Sequence, residues 1–494
     1  MSVPFTHLSP ADFARSEFAG CAVGDPRRQA RVETVAAALA ASPKSSIPTM
    51  FCGDSYGIDA AYNLFKRKEA TPDNLQSTHR RNTLERCSRP GEYLHIEDTT
   101  DMSFSGGEPI EGLGPIGDAR ARSFQGFRLH SVLAVRVPDE GLASECSRRG
   151  AVELCGLLDQ QSIVRPARPR GPRKKSGGGL RERAKVEMET DRWPSSVERA
   201  GEAPKVEGVR WVRIADCEGD FYEYLVAVRK SGSEFVVRAW HDRRMQDPES
   251  GKRCGHLLTE ARKSPSLGAF ELHLRKRGSA AARTATLCVS VLCDVLIQSP
   301  RRPGRTEGAL APVRVTVVRV WEANPPKGCG EPLEWLLLTS LPVADFAQAR
   351  AVALRYSCRW IIEEFHKALK SGMNAEKLQL EHGSRLVAAI SVMSVVALRL
   401  VDMRERARLT PDAPAVENGF DPTDLLILGK LTRTTPATLR EAVRAVAKLG
   451  GFMGRKGDGE PGMITLWRGM TMLNSVKKGY LLAKAAEPEV RSQE

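Results

Sequence analysis

Hydrophobic periodicity changes twice along the chain. The first ninety residues read as short helices separated by turn signals: Ser9-Pro10 and Asp25-Pro26 each put a capping side chain before a proline at the first helical position. The Asp25 start predicts a helix running to about Ala41, and a second basic helix is expected over about Ile58 to Lys68. From Tyr93 the texture becomes strand-like, with apolar runs at Tyr93 to Asp98, Leu129 to Val137 and Val152 to Leu158 bounded by Gly, Pro or charge. It resumes at Val209 to Asp216, passes through an expected helix from Phe221 to Arg229, and returns to a strand at Phe235 to Trp240. Three further runs, Thr284 to Ile297, Val313 to Trp321 and Trp335 to Leu338, have no helical pattern between them and predict an all-β insertion over about 245–340. After Ala344 the period is helical. The longest apolar run, Leu386 to Val401, is interrupted by Arg399 and falls short of the roughly 18 clean residues of a membrane span, so a buried core helix is expected. The N-terminus has no charged-then-apolar leader. The expectation is three parts: a helical domain over 1–90, an α/β core over 91–375 and a helical region over 376–494.

Charge narrows the function. Lys and Arg number 74 against 60 Asp and Glu, a net +14 that favours a polyanionic partner, nucleic acid before an anionic membrane. The eleven cysteines include no CxxC pair, which speaks against a disulfide framework or structural zinc and for a reducing compartment. Residues Arg165 to Lys185 hold nine Lys or Arg against one Glu, with a glycine triplet, and such a segment cannot bury enough apolar surface to order itself. A basic loop touching phosphate, or merely solvated, is expected there.

Several side chains then share faces. Arg27, Arg28 and Arg31 recur at helical spacing, and Tyr62 and Arg67 belong to the second basic helix. Two basic helices suit docking on DNA phosphates, although solvated helix faces read the same way. Leu94, Ile96 and Asp98 alternate onto one side of their strand, as do Val212, Ile214 and Asp216. Each apolar file ends in an aspartate where open α/β sheets usually hold ligands, a position that turn-starting aspartates also favour. Over Tyr356 to Lys370, Tyr356, Arg359, Glu363, Lys367 and Lys370 form one polar helical stripe, opposed by Ile361, Phe365, Ala368 and Gly372. Carboxylates holding two divalent metals beside phosphate-binding cations are what phosphoryl transfer requires, whereas an exposed salt-bridged helix would show the same charges. Glu364 turns about 100° from Glu363 on a helix, which favours Glu363 as the ligand.

The spacing Y-x2-R-x3-E-x6-K, carried by Tyr356, Arg359, Glu363 and Lys370, resembles the signature of bacterial insertion-sequence DDE transposases of the hairpin-forming cut-and-paste group. Ile96-Glu-Asp98-Thr-Thr-Asp-Met-Ser-Phe is similar to that family's first-aspartate segment and Ile214-Ala-Asp216-Cys-Glu-Gly-Asp to its second. Gly24-Asp-Pro-Arg27-Arg28 resembles the opening of its end-binding domain, and the segments starting at Glu331 and Gly451 extend the likeness almost to the C-terminus.

The resemblance implies an α/β, RNase H-like mixed-sheet core with a β insertion, between a helical transposon-end-binding domain and a helical dimerisation region. It makes Asp98, Asp216 and Glu363 the catalytic and metal triad for two Mg²⁺ ions, with Mn²⁺ able to substitute. Tyr356, Arg359, Lys367 and Lys370 would grip DNA, Trp335 would stack on a flipped base, and Arg27, Arg28, Arg31, Tyr62 and Arg67 would bind the ends. Asp101, Asp220 and Glu364 are decoy carboxylates beside the triad. The implied partners are double-stranded DNA, as transposon ends and target, and a second copy of the chain in a synaptic complex; the expected place is the nucleoid of a prokaryotic cytoplasm, without a membrane. A catalytically inactive end-binding protein and a structure-specific RNase H-like endonuclease are the alternatives. Cys254-Gly-His256 and Glu363-x-x-His366 lack second ligand pairs, and the stripe Leu466, Trp467, Met470, Leu473, Val476, Tyr480 fits either core docking or a dimer contact.

Overall fold

The computed structural model describes residues 8–104, 108–117, 124–142, 152–166, 189–274, 283–299, 310–326, 332–455 and 458–486. The chain forms two compact units: residues 1–83, 101–127 and 363–494 make the first, and residues 84–100 and 128–362 the second.

The first unit is mainly helical. Ser9 caps helix Pro10–Phe18 by accepting from the Asp12 amide, and Asp25 caps helix Pro26–Ala41 by accepting from the Arg27 amide at 2.7 Å. Both caps stand where the Ser-Pro and Asp-Pro pairs placed them. The second basic helix lies three residues nearer the N-terminus than expected. It spans Ser55–Phe65, capped by Asp54, and Lys66, Arg67 and Lys68 lie beyond its end because the Lys66 and Arg67 amides bond back to Tyr62 and Leu64 in a closing turn.

Helix Gly383–Leu409 runs through the interior of this unit. From Leu386 to Val401 every residue is buried except Val387 and Arg399, which are half-buried. Among the described residues this is the one helix long and apolar enough to cross a membrane, and it is enclosed by protein. The charge that interrupts it is accommodated. Arg399 donates to the Leu8 carbonyl at 2.6 Å and lies over the Phe13 ring, while burial brings its guanidinium down to about 10 against the opposing pull of Asp424. Gln76 donates to the Ser391 carbonyl, and Glu17 meets His79 at 2.5 Å with both side chains fully enclosed, so the N-terminal helices are pinned to the unit's interior by polar as well as apolar contacts. Helices Pro422–Thr432, Leu439–Leu449 and Met463–Ala486 complete the expected helical C-terminal region.

A mixed sheet of twelve strands, counted among the described residues, supplies the α/β character. In chain order the strands are β1 (Gly91–Phe104), β2 (Gly114–Pro115), β3 (Gln125–Arg136), β4 (Glu153–Ile163), β5 (Val209–Ala215), β6 (Glu234–Arg238), β7 (Arg244–Gln246), β8 (Arg253–His256), β9 (Ser266–Leu274), β10 (Arg283–Ile297), β11 (Val313–Glu322) and β12 (Glu334–Thr339). Their spatial order is β2-β3-β1-β5-β6-β12-β11-β10-β7-β8, with β4 on β3 and β9 on β10. β1, β5 and β6 run parallel, whereas β6–β12–β11–β10 are antiparallel.

One expectation changes here. The stretch 245–340 is not all β: helix Leu257–Lys263 lies within it, burying Leu257, Leu258 and Ala261. Its strands extend the same sheet, because β12 pairs directly with β6. The face of β1 opposite Leu94, Ile96 and Asp98 is buried as well. His95 and Glu97 are as fully buried as Leu94 and Ile96, as befits a parallel strand covered on both faces. Of the basic segment Arg165 to Lys185, only Arg165 and Pro166 are among the described residues, and Arg165 pairs with Glu189 at 2.6 Å.

Candidate active site

The parallel register puts two aspartates side by side. β1 and β5 pair with Ile96 opposite Ile214 and Glu97 opposite Ala215, so one step further brings Asp98 opposite Asp216. β5 and β6 pair with Ala215 opposite Val237, and the same step brings Asp216 opposite Arg238. Asp98 lies in the middle of β1, where its pairing with β5 stops, whereas Asp216 follows the last residue of β5 and Arg238 is the last of β6; the register carried one residue further would set the three side by side, at about 4.8 Å per strand. Local bonds hold the aspartates. The Thr99 amide donates to Asp98 Oδ1 at 2.8 Å, and Asp216 accepts from the Glu218 amide at 2.8 Å as it caps a short turn.

Cations and rings surround this row within the second unit. Arg359 Nη1 lies 3.7 Å from Asp98 Oδ2. Tyr356 is buried, which raises its phenol above the ordinary value, against the pull of Arg359 and Arg238 and with that of Asp216. Trp335 is half-buried and meets Tyr356 edge-on, with ring centroids 5.2 Å apart.

The helix carrying the Y-R-E-K residues departs from the single stripe expected. Helix Phe346–Ser357 ends after Tyr356, and helix Trp360–Lys367 begins a new run. Between them the Cys358, Arg359, Ile361 and Ile362 amides bond to carbonyls three residues back instead of four, tightening the turn and breaking the 3.6-residue period. After Lys367 the chain widens: the Met373 amide bonds to the Ala368 carbonyl, five residues back. Gly372 permits this, because a Cβ there would lie 1.9 Å from the Trp467 ring.

Glu363, Lys367 and Lys370 belong to the first unit. Glu363 is half-buried and Lys367 exposed. Lys370 donates to the Asp101 carbonyl at 2.8 Å and pairs with Glu376 at 3.2 Å. Two decoy carboxylates are committed elsewhere. Glu364 accepts from Arg404 at 2.5 Å, and Asp220 is buried, pairing with Arg243 at 2.5 Å and accepting from the Trp240 and His241 amides. Among the described residues no three His, Cys, Asp or Glu side chains converge as a preformed metal cage.

Two features have no forecast in the sequence reading. Glu97, beside Asp98, is fully buried and joined to Arg213, Tyr224 and Ser196 at 2.6 Å each, with His130 at 3.5 Å. Burial opposes its charge, but Arg213, His130 and Ser196 outweigh that and bring the carboxyl down to about 2. Arg192 donates to Thr99 at 3.0 Å and to Glu218 at 2.6 Å, tying the segment after Asp98 to the segment after Asp216. The only sequence signal for the first is a pair of opposite charges inside two apolar runs, Glu97 and Arg213.

Near the N-terminus, Arg27 and Tyr62 lie on helices and Arg67 just past one; Arg27 and Arg67 are exposed and Tyr62 is half-buried. Arg31 lies over the ring of Tyr56, an exposed aromatic that helical spacing does not single out, at 5.2 Å. Arg28 is engaged internally, with the Val23 carbonyl at 3.2 Å and Glu69 at 3.3 Å.

Residues 10–70 match the family described as Transposase DNA-binding, and residues 395–487 match the Transposase Tn5 dimerisation domain. The two matches, near opposite ends of the chain, support a Tn5-like transposase with DNA-binding and dimerisation domains.

Proposed function

We propose that this chain is a cut-and-paste DNA transposase that binds the terminal inverted repeats of its own element, cleaves through hairpin ends and joins the excised element to target DNA. The observation that carries the reading is the parallel register of β1, β5 and β6, which carried one residue further sets Asp98, Asp216 and Arg238 side by side, with Arg359 against Asp98 and Tyr356 within reach of Arg359, Arg238 and Asp216. The strand order β4-β3-β1-β5-β6, with the last three parallel, supports an RNase H-like core.

The donor set fits a hard divalent ion, since every candidate ligand is a carboxylate oxygen. Asp98, Asp216 and Glu363 would hold two Mg²⁺, or Mn²⁺ in their place. When bound, these ions would activate water and stabilise the leaving 3′ oxygen. Arg359 beside Asp98 offsets part of the repulsion that gathered carboxylates would feel. Arg359, Tyr356, Lys367 and Lys370 would hold phosphates near the cut so that attack is in line, and Trp335 would stack on a base displaced from the end. Hydrolysis of one strand frees a 3′-OH; that hydroxyl attacks a phosphodiester of the opposite strand, closing a hairpin and releasing the flanking DNA with a 3′-OH; a second water opens the hairpin and restores the 3′-OH of the end, which attacks a target phosphodiester and displaces a target 3′-OH. Arg27, Arg31 and Arg67 would anchor the end by its phosphates. A second copy of the chain would hold the other end, through the C-terminal domain.

The test is incubation of the purified chain and Mg²⁺ with DNA carrying the repeats that flank its gene. Hairpin-ended fragments are expected from the wild type. Asp98→Asn, Asp216→Asn and Glu363→Gln should each bind the ends yet cut at least about a thousandfold more slowly. Bound but uncut wild-type complexes with either metal would identify an end-binding protein without catalysis, and cutting indifferent to the repeats would identify a structure-specific nuclease.

A further inference from the structure

Of the seven tryptophans, all among the described residues, Trp193, Trp211 and Trp467 are buried, and Trp321, Trp335 and Trp360 are half-buried. Trp240 is 70 % exposed. Leaving an indole in water forfeits the burial that makes tryptophan favourable in a fold, so its position invites a ligand.

That position is set by register. β6 and β12 pair antiparallel with Arg238 opposite Leu337, and the Ala239 amide bonds to the Leu336 carbonyl at 2.7 Å. Carried one residue further, this pairing would set Trp240 across from Trp335, on one face of the pair, at the point where the Trp240 amide turns to Asp220. Trp240 is thus two residues beyond Arg238, which the parallel register carried one residue further sets beside Asp216. The backbone that presents it is held firmly: buried Asp220 accepts from the Trp240 amide at 2.7 Å and the His241 amide at 2.9 Å, and Arg243 grips the Asp220 carboxylate and carbonyl. Arg238, His241 and Arg244 are exposed alongside. The nearby acids are occupied: Asp242 accepts from the Leu258 amide and the Thr259 hydroxyl, and Glu334 from Arg262 and Arg319. A flat apolar ring on an ordered backbone, rimmed by cations, matches a nucleobase still attached to its phosphates.

We propose that Trp240 is a second base-stacking residue, taking an unpaired DNA base next to the cleavage position across from Trp335. The proposal rests on the transposase reading. Because Trp240 is exposed and its backbone is fixed by Asp220, its replacement should leave the fold intact.

The experiment uses the full chain in EDTA, with end DNA either fully paired or mismatched over its last base pairs, and with 2-aminopurine placed at each terminal position in turn. Trp240→Ala should bind the mismatched end at least about fivefold more weakly, bind the paired end as the wild type does, and lose fluorescence quenching at one terminal position. Trp240→Tyr should restore both. Trp335→Ala should lose quenching at a different position. Equal weakening on both DNAs, or an unchanged quenching profile in Trp240→Ala, would overturn the base contact while end binding by the wild type keeps the transposase reading. A wild type with no preference for end DNA would overturn both.

Discussion

Glu97 and Arg213 meet at 2.6 Å on neighbouring strands, with neither side chain exposed to solvent. Glu97 sits one residue before Asp98 and Arg213 three before Asp216, so the pair holds together the strand segments that carry both aspartates. Tyr224 and Ser196 supply further hydrogen bonds to the same carboxylate, so Glu97 is the hub of a buried polar network beneath the site.

Removing one partner should therefore be costly. Glu97→Ala leaves a buried guanidinium without its carboxylate, and a loss of about 3–5 kcal/mol in urea unfolding is expected. The pH dependence follows from the sign of the shift. The Glu97 carboxyl drops from an ordinary 4.5 to about 2 in the fold, so its stabilisation is present above pH 4.5 and is lost as pH falls toward 2. Wild-type stability should decline across that window, and Glu97→Gln should decline less steeply; parallel curves would contradict this account.

The basic residues near the N-terminus should separate into two kinds. Arg31→Ala and Arg67→Ala should weaken DNA binding irrespective of sequence, each lowering the slope of log affinity against log salt by about one. Arg28→Ala should do less to that slope and instead lower the melting temperature slightly, since Arg28 bridges the Val23 carbonyl and Glu69.

Gly372→Ala should destabilise the first unit, by about 1–3 kcal/mol in denaturant titration, because the added methyl would drive into the Trp467 ring. Combined with Trp467→Leu, which makes room, the loss should be smaller than the sum of the two single changes.

Much of the site's framework is legible along the chain. The Ser9 and Asp25 caps, the aspartates ending their apolar runs and the burial of the Leu386 to Val401 helix all follow from residue type and short-range spacing, which act within a few residues. Arg399 in that helix reads as an interruption, and its partners, the Leu8 carbonyl and the Phe13 ring, lie almost four hundred residues away.

What the chain alone determined was therefore the repertoire: which runs become strands, where their polar ends fall, and that a basic surface accompanies them. Tertiary structure decided the pairing. Register between remote strands set Glu97 against Ala215, Ala215 against Val237 and Arg238 against Leu337, and packing drew Glu364 to Arg404 and Asp220 to Arg243. Helical periodicity also could not foresee the tightened turn at Cys358 and Arg359, where hydrogen bonds three residues back displace the regular pattern. The reason is physical: periodicity reports the local backbone, whereas a buried charge or a strand register is settled by whichever distant partner satisfies it.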